Sequence, residues 1–361
     1  MTPRVLTRRA FGAVSALSAA TLFAPAALRA QGEGEPSLGR VTVAVGGQGL
    51  LYHLPLALAD SLGFFRSQGL EVVTRDFPAG ARALQAVHDG AADVFSGAFE
   101  HALRAHARGR PVRSLVLQGR APQLALGVST RALPAYKDFS DLAGRRVGVS
   151  SIGSSTHLAA SLVVLRAGLS LQDVTFVGVG AAGNAMNAFR SGQVHALCHA
   201  DPVMTRLEQT ADMRIVGDLR SLKATQEVFG GAMPGGSLCV PQAFVQKQPA
   251  QAQALVNGIV HALKWLQTAA PADLMKTVPA AYLMGDRGAY LAAFNRVRET
   301  YSTHGQMPDD GPATAHRVLS RVMCRRGQYA EAAALIVAGA ELGRRLGLTR
   351  IVAPMRLEQQ Y

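Results

Sequence analysis

The chain has 361 residues, 48% of them hydrophobic and 17% charged, and a formal net charge of +13. That balance excludes a disordered chain, which needs low hydrophobicity and high charge, and the length suggests about two domains, since single cores stop growing at roughly 250–300 residues. The four arginines of residues 1–30 account for part of the charge and eight arginines against three glutamates in residues 313–361 for more. The remaining cations are scattered and aromatics are 6%. This argues against nucleic acid as a partner, because its binders concentrate cations on one element beside stacking aromatics.

Thr7-Arg8-Arg9-Ala10-Phe11 precedes an uncharged, Ala-rich stretch from Ala10 to Leu28. A basic start, an apolar run and small residues at the end make a secretory signal, and the paired arginines followed by x-Phe resemble a twin-arginine export signal. Residues 1–30 are therefore expected to be cleaved, after Ala26 or Ala30. The rival is an uncleaved anchor, since about 19 uncharged residues nearly span a bilayer. Gly12, Pro25 and the interior hydroxyl residues count against it. The mature chain is expected to be soluble in the periplasm. Cys198, Cys239 and Cys324 are far apart, so neither a disulfide framework nor a metal-ligand pair is expected, and no cofactor is anticipated.

After a polar linker, Val41–Val45 predicts a short strand ending at Gly46-Gly47-Gln48-Gly49, with a helix over Tyr52–Leu62 closed by Gly63. Leu70–Asp76 is the next strand, and Pro78-Ala79-Gly80 opens a helix over Ala81–His88. Asp93–Phe95 predicts a third strand, Ser96-Gly97-Ala98 a helix start running to His106, and Val112–Gln118 a fourth strand. The rhythm then restarts. Arg145–Val149 is a strand, Ser150–Thr156 a turn, and a helix follows to Ala167. Thr175–Val179, Val194–Cys198 and Arg214–Gly217 are strands separated by helices over Ala182–Arg190 and Pro202–Gln209. Ser237–Val240 adds a strand. Helices over about Pro249–Thr268, Arg287–Thr303 and Tyr329–Leu346 complete the chain. Such alternation predicts an α/β fold of two lobes, each a mainly parallel sheet flanked by helices, with the ligand in the cleft between them.

From about Gly39 to Leu319 the order of short motifs resembles the periplasmic substrate-binding proteins of the nitrate, sulfonate and taurine class of ABC importers. The residues that carry it are Gly49 to Ala59, Gly63-Phe64-Phe65, Gln68 to Val72 and Gly90 to Val94. They continue with Ser96 to His101, Asp141 to Val149, Gly192 to Ala196 and Asp201-Pro202. The resemblance implies a type II periplasmic binding protein fold with two crossing segments, near Gln123–Ser129 and Asp218–Ser237. Residues 39–126 and 238–322 would form a discontinuous first lobe, residues 127–237 the second, and residues 323–361 a C-terminal extension. It implies a monomer that binds a small anionic organic solute and docks on an inner-membrane ABC permease with its ATPase. No bond is made or broken. The rival class is enzymatic: a thiamine-pyrimidine synthase and some menaquinone-pathway enzymes resemble the same fold, but the synthase carries a Cys-rich motif and this chain has no clustered cysteines. A binding protein that feeds a signalling receptor would share the same sequence features.

The small-residue turns after the strands carry the candidate site. In an open parallel sheet the carboxyl edge lines the ligand crevice, and helix N-termini there present free N–H groups to an anion. For any one turn, ordinary turn and N-cap chemistry is the better account; the repetition across both halves shifts the balance towards a site. The candidates in the first lobe are Gly49, Leu51, Tyr52, His53, Gly80, Ser96, Gly97, Phe99 and Gly236. Tyr52 is suited to stacking or hydrogen bonding and His53 to pairing with an anion; Ser96 doubles as a cap and Phe99 as core. In the second lobe the hydroxyl-rich turn Ser150, Ser151, Gly153, Ser154, Ser155 and Thr156 is the main anion candidate, joined by Asn184 and His199. Asp201 is most simply an N-cap.

Overall fold

The computed structural model describes residues 37–345, with side chains described through residue 337. The signal peptide read in residues 1–30 and the tail beyond residue 345 lie outside the described residues. The first half runs β1 (Gly39–Gly46), α1 (Leu54–Ser61), β2 (Leu70–Phe77), α2 (Gly80–His88), β3 (Val94–Ala98), α3 (Glu100–Ala107) and β4 (Val112–Leu117). The next stretch is β5 (Leu124–Ser129), β6 (Arg146–Val149), α4 (Ser155–Arg166), β7 (Thr175–Gly178), α5 (Ala182–Arg190), β8 (Ala196–Ala200), α6 (Val203–Gln209), β9 (Met213–Leu219) and α7 (Leu222–Phe229). The chain ends with β10 (Gly236–Pro241), α8 (Gln242–Lys247), α9 (Pro249–Thr268), α10 (Pro271–Thr277), α11 (Arg287–Val297), α12 (Gly311–Arg325) and α13 (Tyr329–Arg345).

The strands form two five-stranded sheets, in the orders β2-β1-β3-β10-β4 and β7-β6-β8-β5-β9. In each sheet four strands run one way and one is reversed: β10 is antiparallel to β3 and β4, and β5 is antiparallel to β8 and β9. β1 shows why these segments become strands. Its side chains alternate across the sheet, with Val41, Val43 and Val45 in one buried cluster and Ala44 in the other. Both faces are thus covered by helices, and the strand reads as a nearly unbroken apolar run. On one face α1 and α9 supply Leu54, Leu58, Leu255, Ile259 and Leu263; on the other α2 and α3 supply Ala83, Leu84, Ala102 and Ala105. α9 approaches closely because Gly258 lies under Phe65, whose Cδ1 would be 2.4 Å from an added Cβ.

Several elements differ from the sequence expectation. Gln123–Ser129, read as a crossing segment, contains strand β5, every residue of which is buried; Leu-Ala-Leu-Gly-Val-Ser shows no alternation because both its faces are covered. Ser96-Gly97-Ala98, read as a helix start, continues β3, paired with β10 through Gly97↔Ser237 and Ala98↔Gly236. The second expected crossing contains α7, capped by Ser221, whose side chain accepts the Ala224 N–H. The extension expected from residue 323 begins inside α12, where Met323 is fully buried. Beyond it, α13 buries Ala332 and Leu335. His316 Nε2 lies 2.9 Å from the Leu335 carbonyl, and Arg326 donates to the His157 carbonyl and to Ser161 Oγ on α4. Among the described residues, no helix is long and apolar enough to cross a membrane.

Candidate ligand-binding site

The ends of β1, β2 and β3 from the first sheet and of β6 and β8 from the second converge on one cavity of about 40 Å³. Gly46, Pro78, Gly97 and Ala98 line it from one side; Ser150, His199 and Ala200 from the other. The first residues of α2 and α4, Gly80, Ser155 and Thr156, also reach it, with Ala181 at the start of α5. No Asp, Glu, Lys or Arg lines this space; its titratable side chains are Tyr52, His53, His101 and His199.

Burial sets the state of these groups. It lowers His53 from 6.5 to about 4, against a weaker opposing pull from the Gly46 carbonyl and Asp76. His101 falls to about 3 through burial and then the charges of Arg104 and Arg108. His199 is lowered too, by burial. Each is therefore a neutral imidazole near pH 7. His199 Nε2 lies 3.2 Å from the Gly180 carbonyl and Nδ1 3.4 Å from the Ala200 carbonyl. Of the cavity's lining, two buried polar atoms have no hydrogen-bond partner among the described residues: the Tyr52 hydroxyl and His53 Nδ1. Tyr52 also borders a smaller cavity of about 10 Å³ that holds Glu100. Burial pushes the Glu100 carboxyl up to about 7, and its Oε1 is likewise unpartnered.

The cavity brings together eight of the residues singled out from the sequence: Tyr52, His53, Gly80, Gly97, Ser150, Ser155, Thr156 and His199. The others lie elsewhere. The Leu51 side chain is core, but its N–H donates to the Asp201 carbonyl at 2.9 Å and its carbonyl accepts from the Tyr301 hydroxyl at 2.8 Å. Ser96 is fully buried and accepts from Gln118 Nε2. Phe99 packs in the core. Gly49 lies near Tyr282, where an added Cβ would be 3.8 Å from its Cα. Gly236 accepts the Gln118 and Gly119 N–H groups and lies against the Tyr52 ring. Asn184 is exposed.

The hydroxyl-rich turn is largely bonded to itself. Thr156 Oγ1 accepts the Ser150 N–H and contacts the Ser150 and Ser154 hydroxyls. Ser154 caps α4 through the His157 N–H. The Gly153 N–H goes to His157 Nδ1, and its carbonyl accepts from Arg104 Nη1 at 2.6 Å. What the turn can still offer a ligand is the Ser155 and Thr156 N–H groups, at helical positions with no intrahelical acceptor. Ser151 Oγ is buried without a partner but does not line the cavity.

Sequence reasoning missed His101 and Leu124. Leu124 was hidden because its strand was read as a connection. His101 carried a usable signal, one helical turn after the Gly97-Ala98 strand end, but the residue was read only as part of a motif.

Comparison with known proteins agrees with this architecture. A structure of a protein from Bordetella bronchiseptica RB50 is 48% identical, with a TM-score of 0.75 over 78% of this chain and 88% of that one. The alkanesulfonate-binding protein SsuA from Xanthomonas axonopodis pv. citri, solved with MOPS, is 21% identical, with a TM-score of 0.60 over 87% and 95% of the two chains; it shares the type II periplasmic binding protein fold of two mixed sheets. A curated relative, the 4-amino-5-hydroxymethyl-2-methylpyrimidine phosphate synthase of Schizosaccharomyces pombe, is 28% identical over 144 residues. That stretch is 40% of each chain, so this chain spans about two fifths of the length of the curated relatives it matches. The family profile described as NMT1/THI5 like matches residues 51–272, well over half of the sequence, and the chain belongs to the NMT1/THI5-like family.

Proposed function

We propose that the chain is the periplasmic solute-binding component of an ABC importer. It takes a small anionic organic solute, an aliphatic sulfonate, taurine or a similar compound, and delivers it to an inner-membrane permease driven by an ATPase. The observation that carries this reading is the adjacent pair of buried, unpartnered groups, Tyr52 Oη and His53 Nδ1. Both residues line a cavity between two sheets whose described lining has no carboxylate and which receives the first residues of α2 and α4, and Tyr52 also feels the Glu100 charge from the smaller cavity beside it. Buried polar groups in native structures are almost always hydrogen-bonded, so a solute that closes the cleft would complete these two. In the same reading the protein is a monomer, exported by the twin-arginine route, with its first lobe in residues 39–126 and 238–322 and its second in residues 127–237.

Two helix N-termini contribute about 1–2 kcal/mol to anion binding, whereas micromolar affinity needs about 8 kcal/mol. The larger share must come from Tyr52, the imidazoles and apolar contact, which therefore choose the solute. The test is a thermal-shift screen against sulfonates, taurine, nitrate, a thiamine-precursor pyrimidine and an aromatic carboxylate, with each mixture also assayed for product. A solute at about 100 times its Kd adds roughly 2.7 kcal/mol, or about 5 °C. A shift of that size with the solute recovered intact supports uptake. The curated relatives favour a second reading, a pyrimidine synthase, and conversion of a compound to product would establish it in place of the first.

A further inference from the structure

A larger cavity, about 370 Å³, lies between α2 and α3, and its polar lining is Gln85, His88, His101, Arg104, Arg108 and Arg110. No carboxylate lines it. Two features, at His101 and Arg104, set it apart from a solvated basic face. His101, which also borders the interlobe cavity, is 3% exposed, packs edge-on against Phe95 and has no hydrogen bond to either ring nitrogen among the described residues. Arg104 gives one Nη1 hydrogen bond to the Gly153 carbonyl, while its buried Nε has no partner. The Arg110 side chain has no ion pair or hydrogen bond among the described residues; its N–H donates to the Ala105 carbonyl.

The charges do not balance internally. Glu331 on α13 pairs with Arg108; Arg104 feels the charges of Glu100 and Glu331, but neither it nor Arg110 is in an ion pair among the described residues. The field of these arginines is felt inside the cavity: after burial, Arg104 and Arg108 hold His101 down, and Arg110 and Arg108 act the same way on His88. Planar guanidinium forks match the geometry of phosphate-type oxygens, and a neutral imidazole supplies one further donor.

We propose that this cavity is a second binding site, separate from the interlobe cleft, for a doubly charged oxyanion of the phosphate class. The guanidinium groups of Arg104 and Arg110, neither held in an ion pair among the described residues, set the charge.

The experiment titrates the full chain with inorganic phosphate by calorimetry, with chloride holding the ionic strength constant. Saturable binding is expected, weakened at least about tenfold in Arg110→Glu, which removes one charge-assisted contact and puts a repelling carboxylate in its place. Arg110 is exposed and its side chain has no partner among the described residues, so the variant should melt at the wild-type temperature in phosphate-free buffer, which separates lost binding from lost folding. The cleft variant Thr156→Val should bind phosphate as the wild type does, and phosphate should slow hydrogen exchange in α2 and α3. Three results would overturn the proposal. One is no saturable heat up to about 10 mM phosphate. The others are equal affinity in Arg110→Glu, and loss of binding in Thr156→Val.

Discussion

The buried ion pair behind the cleft wall gives the sharpest stability prediction. The Arg220 side chain is 2% exposed and donates from Nη1 to Asp201 Oδ2 at 3.1 Å, where the Asp201 side chain is wholly buried. Nη1 also reaches Thr205 Oγ1, and Nε and Nη2 grip Asp218. Arg220→Met would leave the Asp201 carboxylate with the Thr205 N–H as its remaining donor. Removing one partner of a buried pair costs about 3–5 kcal/mol, because the other charge stays uncompensated. The Asp218 half adds little, since that carboxylate is 47% exposed and such pairs contribute about 0–1 kcal/mol. At roughly 2 °C per kcal/mol for a chain of this size, the melting temperature should fall by about 6–10 °C. Differential scanning calorimetry reads this directly. Adding Asp201→Asn to the same background removes the orphan charge and should recover half of the loss or more. A single variant within about 2 °C of wild type, or a double variant no more stable than the single, would refute the reasoning.

The remaining predictions concern pH and the tight glycines. Glu100 keeps in the native state a proton that the unfolded chain releases near 4.5, so this group's stability contribution is full below 4.5 and is lost as pH rises towards 7. Glu100→Gln should therefore gain about 3 kcal/mol over wild type between pH 4.5 and pH 8, measured as the difference between melting curves. His53 and His101 act in the opposite direction. The unfolded chain binds their protons near 6.5 and the native chain only near 4 and 3, so their contribution is full above 6.5 and is lost as pH falls. His101→Gln should shallow the acid limb of the stability profile by about one proton. Gly46→Ala would place a Cβ 2.2 Å from the Gly80 nitrogen, which is backbone and cannot rotate away; urea unfolding should show a loss of about 1–3 kcal/mol. Gly49→Ala, with its nearest contact at 3.8 Å, should change stability by under about 0.5 kcal/mol.

What could be read from the residues divides along a physical line. Parallel strands with a helix after each one announce themselves through local pattern, and α5 and α9 occupy the ranges their periodicity predicts. The two reversed strands could not be recognised in the same way. β5 is buried on both faces and lacks a period, and the role of β10 depends on pairing with Ser96–Ala98, far away in sequence. The turns were visible as turns, but whether a hydroxyl faces a solute or its own backbone depends on distances that no pattern encodes. Thr156 reaches the cavity while Ser154, two residues earlier, is used as a cap. Arg220 looked like one cation among many, because the buried one of the two carboxylates it meets lies 19 residues earlier in the chain.

Leu51 links these observations. It was expected to touch the solute, and instead its backbone joins the two sheets. Its carbonyl accepts from Tyr301 in the first-lobe core, and its N–H donates to Asp201, whose carboxylate is gripped by Arg220. The hydrogen-bonded path therefore runs from Tyr301, through one peptide unit on either side of Leu51, to a buried ion pair beside β8, and none of its members lines the cavity. Tyr52 and His53 follow Leu51 directly in the same 3-10 turn, so their placement is set by this path and does not depend on a solute. Held in position by the protein itself, the Tyr52 hydroxyl and His53 Nδ1 incur little ordering entropy when they engage a ligand. On the proposed function, substitutions along the path, none of whose members lines the cavity, should therefore weaken solute binding by displacing Tyr52 and His53.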